Sequence, residues 1–163
     1  MSDIINIPTR THLKKFLLKT YDTAEPFKLD ERTSIGKNLM SSLVDKLEYV
    51  NVNELYTDKL QVMLSSRMSK RGPRIKRLIY INSLLEEMFK EHMITWIFCK
   101  STEGINPSQS TKDFLAFYQI DENEYTYAAA YKLWQKHKQR NPHWIRKFSQ
   151  KSTKFIPILS AGR

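Results

Sequence analysis

Between Pro73 and Gly104 the chain runs without a glycine or a proline. No other feature constrains its fold as much. Along this stretch Ile75, Leu78, Ile79, Leu85, Met88, Phe89, Trp96 and Ile97 recur largely at three- and four-residue steps. A helix of 3.6 residues per turn brings such positions onto one side, so the spacing predicts an amphipathic helix over 73–99. Pro73 suits its first turn, where a missing N–H costs nothing. The apolar side of this helix is expected to form the centre of the core.

The rest of the chain agrees with a helical reading. Its 163 residues hold only 4 glycines and 6 prolines, and 40% are hydrophobic. That is too apolar for a disordered chain, too poor in turn formers for a many-stranded fold, and long enough for one ordinary core. Residues 1–8 read as extended and 11–21 as a first helix, with Leu13, Phe16 and Leu17 inward. A loop around Pro26 follows. Asp30 or Thr33 then caps an expected second helix through Ile35, Leu39, Met40, Leu43 and Leu47. The alternating patches 49–52 and 59–64 allow a small β-sheet near 48–66.

Beyond a polar connector at 100–108 two more helices are expected. Ser110 with Asp113, and Asp121 with Glu124, are spaced like capping boxes. The second of these helices runs to Arg140, and Asn141-Pro142 stops it and can open a short third. The expected fold is mainly α: a helical core domain over 1–100, a helix-turn-helix-like basic region over 101–149, and a flexible basic tail over 150–163.

The net charge is +10, and its placement matters more than its size. No Asp or Glu occurs from Tyr125 to Arg163, a stretch that holds Lys132, Lys136, Lys138, Arg140, Arg146, Lys147, Lys151, Lys154 and Arg163. A second island holds Arg67, Lys70, Arg71, Arg74, Lys76 and Arg77. Together they exceed the whole net charge, so the remainder is acidic. Cations segregated in this way concentrate positive potential and attract polyanions. Lys132, Lys136 and Arg140 stand four residues apart, so one helical face displays all three. The expected binding residues are Lys132, Lys136, Lys138, Arg140, Arg146 and Lys147 in the C-terminal region, and Arg67, Lys70, Arg71, Arg74 and Arg77 in the second island.

Catalytic patterns are missing from the sequence. There is no glycine-rich phosphate loop, and the single cysteine and four scattered histidines do not make a zinc set. Cys99, among Trp96, Ile97 and Phe98, reads as a packing residue, and a lone cysteine suits a reducing compartment. No apolar run is long enough for a membrane span. No enzyme activity and no cofactor or metal are therefore expected.

Residues 111–131 resemble the helix-turn-helix of DNA-binding proteins: Phe114, Tyr118, Ile120, Tyr125 and Ala128 fall at suitable spacings. Gln119 stands where that motif usually has a small residue. Asp121, Glu122 and Glu124 lie where its second helix would meet DNA. The run FLAFYQIDENEYTYAAAYKLWQKHKQR, from Phe114 to Arg140, is similar in style to small lysine-rich proteins of bacteriophages and other mobile elements. That resemblance implies a nucleic-acid-binding accessory protein, with DNA preferred to RNA, in a bacterial cytoplasm or a phage particle. The alternative is a structural or assembly protein docked on an acidic protein partner or on packaged DNA.

Overall fold

The computed structural model describes residues 4–28, 32, 36–37, 43–44, 56–63, 72–73 and 75–142. Strand β1 (Ile4–Thr9) leads directly into helix α1 (Thr11–Thr20). Short strands β2 (Phe27–Lys28) and β3 (Leu43–Val44) precede β4 (Asp58–Met63) and β5 (Gly72–Pro73). Three helices follow: α2 (Ile75–Thr102), α3 (Pro107–Phe117) and α4 (Tyr127–Arg140). The fold is mainly α with a small sheet.

In that sheet β4 is central, antiparallel to β1 and parallel to β2. Leu60 and Val62 are buried while Lys59 and Gln61 are exposed, the period of two that a half-buried strand requires. Ile7 lies opposite Leu60, and Phe27 opposite Val62. The expected sheet near 48–66 is thus realised at 58–63, completed by partners from the N-terminal part of the chain.

Two expectations are corrected here. Leu43 and Val44 do not continue a helix; they pair antiparallel with Pro73 and Gly72. Pro73 accordingly ends a short strand and does not open α2. Proline lacks the N–H that a second neighbour would need, and a two-stranded ladder tolerates it. The remaining positions of the expected second helix lie outside the described residues, apart from Arg32, in a turn, and Gly36 and Lys37, which are helical.

The long helix forms as the spacing predicts. Ile81, Leu85, Phe89, Met93 and Ile97 are all buried, at steps of four. Each such step turns the face by roughly 40°, so the buried side swings about 160° along the helix. One helix can therefore pack on α1 and β1 and also on α3 and α4. Phe89 is the hub: the rings of His12, Phe16, Phe114 and Tyr125 lie with centroids 5.1–5.6 Å from its own. The apolar cluster is continuous from Ile7 to Trp134 and so crosses residue 100. Cys99 is exposed, a correction to its reading as a packing residue. Two residues past inward-facing Ile97, it stands about 200° around the helix.

Polar groups fasten the elements where apolar packing alone would not fix them. Buried Asn82 accepts from the Thr9 hydroxyl at 2.8 Å and donates to the Pro8 carbonyl at 2.9 Å, tying α2 to β1. Glu86 lies 3.4 Å from Arg10, 3.4 Å from His12 and 3.1 Å from Lys90. Burial pushes the Glu86 carboxyl up, but His12 and Lys90 outweigh it and draw it down to about 2.

Candidate nucleic-acid interface

The segment that places α4 begins where α2 stops. Gly104, at φ +87°, ends α2 by letting the Ile105 N–H turn back to the Lys100 carbonyl at 3.0 Å. Asn106 then caps α3, its side chain accepting from the Ser108 N–H at 2.9 Å, with Pro107 in the first turn. The expected start at Ser110 is therefore four residues late. Asn-Pro is the stronger opening, since Asn caps and Pro has its φ already set. Ser110 and Thr111 instead lie inside α3, buried, each bonding the carbonyl four residues back.

Gln119 ends α3 in the left-handed region at φ +55°, the position usually given to glycine. The Asp121/Glu124 capping signal is used, but for one turn only. The Glu124 carboxylate accepts from the Asp121 N–H at 3.2 Å, and the Tyr125 N–H bonds the Asp121 carbonyl at 3.1 Å. The helix proper starts at Tyr127. The Thr126 hydroxyl accepts from the Ala129 N–H at 3.1 Å, and Glu122 accepts from the Tyr127 N–H at 3.0 Å. Residues 118–126 thus separate α3 from α4, where a helix-turn-helix turn takes only about 3–4 residues. Phe114, Tyr118 and Ile120 are buried as that template wants, but Ala128 is exposed and Ala130 points inward.

Two of the acidic residues before α4 are engaged by other groups. Glu124 pairs with Lys15 at 2.8 Å and holds that ammonium above its usual range. Glu122 caps the helix N-terminus, where its charge complements the helix dipole. Neither belongs to α4, which contains no carboxylate.

Trp134 and Ala130 bury the inner side of α4, and Tyr127 and Tyr131 flank them, stacked at 5.7 Å. The Tyr127 hydroxyl is fixed to Ser108 on α3 at 2.8 Å. Lys132, Lys136, Lys138 and Arg140 are all exposed. Among the described residues none of these four makes an ion pair, whereas Arg10, Lys14, Lys15, Lys90 and Lys100 each face a carboxylate. His137, Lys138 and Arg140 also suit the negative end of the helix dipole.

The structure thus gathers four of the expected binding residues on one helix. Arg77 falls in the first turn of α2. Arg67, Lys70, Arg71 and Arg74, together with Arg146, Lys147, the tail over 150–163 and the short helix expected after Pro142, lie outside the described residues. Residues the sequence reading passed over also border the site. Lys112 of α3 is exposed, with its Nζ 5.6 Å from the centre of the Tyr127 ring. Ala128, Ala129, Gln135 and Gln139 share the exposed side of α4. The helical spacing of 128, 132, 135 and 139 was the available signal.

Elsewhere a cleft of about 110 Å³ is lined by Arg10, Leu13, Tyr56, Asn82, Ser83 and Glu86. Among the described residues no three His, Cys, Asp or Glu side chains group as a metal site, and no helix is long and apolar enough to cross a membrane. Comparison with family models, curated proteins and solved structures found no match.

Proposed function

We propose that this protein is a non-enzymatic nucleic-acid-binding accessory protein that grips the phosphate backbone through the exposed side of α4. The observation that carries the reading is the contrast in pairing. Lys14 and Lys15 of α1 are held by carboxylates of the protein itself, while Lys132, Lys136, Lys138 and Arg140 are exposed on a helix without acid and make no ion pair among the described residues. A cation already paired has little to gain from a phosphate. An unpaired one gains a charge-assisted contact and releases a condensed counterion. On this reading α3 and α4 serve as a long-turned variant of the helix-turn-helix. The basic tail and the 67–77 island add further contacts, and DNA is preferred to RNA.

Fluorescence anisotropy against labelled DNA and RNA at several salt concentrations tests the proposal. Affinity is expected to fall linearly on a log–log plot as salt rises. Absence of binding at low salt would reject the reading and turn the search to an acidic protein surface as partner.

A further inference from the structure

The exposed side of α4 carries more than cations. Ala128, Lys132, Gln135 and Gln139 follow at steps of four, three and four, and Ala129, Lys136 and Arg140 run beside them at steps of seven and four. All are exposed; half-buried Leu133, four residues past Ala129, borders the second row and packs against the core. The leading turn bears only methyl groups, and the long side chains begin one turn later. Neither glutamine amide is used within the protein among the described residues.

Resting on the nucleic-acid reading above, we infer that the ligand is duplex DNA in the B form, with α4 seated in its major groove. Lys132, Lys136 and Arg140 reach phosphates at the groove walls, and Gln135 and Gln139 reach base edges. A helix with its side chains is about 10–12 Å across, and the B-form major groove is about 12 Å wide. Ala128 and Ala129 thin the leading turn, so the backbone there can approach the groove floor. A glutamine amide both donates and accepts, the pair of functions that matches N6 and N7 of adenine.

The same face fits the other nucleic acids poorly. The major groove of an RNA duplex is deep and too narrow for side-chain readout. Single strands are held by aromatic platforms on which bases stack. The aromatic residues of α4 lie elsewhere: Trp134 is buried and the Tyr127 hydroxyl is tied to Ser108.

The test is a competition among a random-sequence DNA duplex spanning about two helical turns, an RNA duplex of the same length, and single-stranded DNA, at matched salt. It is followed by selection of preferred duplexes from the random pool. The parent is expected to bind the DNA duplex about tenfold or more tighter than the RNA duplex, and to enrich adenine-containing sites. Gln135→Ala with Gln139→Ala is expected to abolish the enrichment and leave the salt slope unchanged. Ala128→Glu, an exposed change checked by its helical far-UV spectrum, is expected to weaken duplex binding about tenfold. Equal binding to both duplexes, or an enrichment untouched by the glutamine changes, overturns the inference and leaves the backbone-binding reading standing. Failure to bind any nucleic acid overturns both.

Discussion

Glu86 shows how one residue can fix the relation of two elements. Its side chain is only 16% exposed and faces Arg10, His12 and Lys90, so it joins the start of α1 to the middle of α2. Its folded pKa of about 2 lies below the ordinary 4.5. The folded state therefore favours the ionised form. The stability this contributes is complete above about pH 4.5 and is lost as pH falls through the folded value near 2. The shift corresponds to about 3 kcal/mol. Glu86→Gln is expected to cost that order of stability in urea unfolding at neutral pH, and to flatten the fall in stability between pH 4.5 and 2. A variant as stable as the parent, with the same acid profile, would show that the cluster holds nothing together. None of this was legible in the sequence, where Glu86 sits among Glu87, Lys90 and Glu91 and reads as part of a solvated face. Only the position of α1 reveals that Glu86 is turned inward.

At the scale of elements, legibility followed the length of the periodic signal. The helix over 73–99 was clear because many apolar residues repeat one step, and α1 was clear for the same reason. Leu43 and Val44 were misread because a strand of two residues has no period; its pairing with Gly72 and Pro73 comes from distant sequence. The start of α4 was misread because two capping signals stand five residues apart. Asp121 with Glu124 opens a single turn, and Thr126 opens the helix. Thr126→Ala is expected to cost about 1 kcal/mol of stability, the usual worth of an N-cap. Asp121→Ala should cost a few tenths at most, because the Asp121 side chain makes only a 3.4 Å contact with Lys15 and is 77% exposed. Thermal unfolding of the two variants checks this order, and the reverse order would restore the helix start to Asp121.

For the whole molecule the sequence made the segregation of charge visible but not the reason these cations lack an ion pair among the described residues. That reason is spatial. The acidic residues nearest α4 in sequence are engaged, Glu124 by Lys15 of α1 and Glu122 by the first N–H of α4, so among the described residues no carboxylate pairs with the cations of α4. The account stands or falls on those cations. The most direct measurement is the salt dependence of DNA affinity for the parent and for a variant with Lys132, Lys136 and Arg140 all changed to Gln. Each phosphate contact contributes about 0.9 to the slope of log affinity against log salt, so the account predicts a slope shallower by about 2.7. Affinity should fall alike on all sequences, and folding should be unchanged, since exposed substitutions usually cost within about 0.5 kcal/mol. A variant that binds DNA with the affinity and salt slope of the parent would contradict the account.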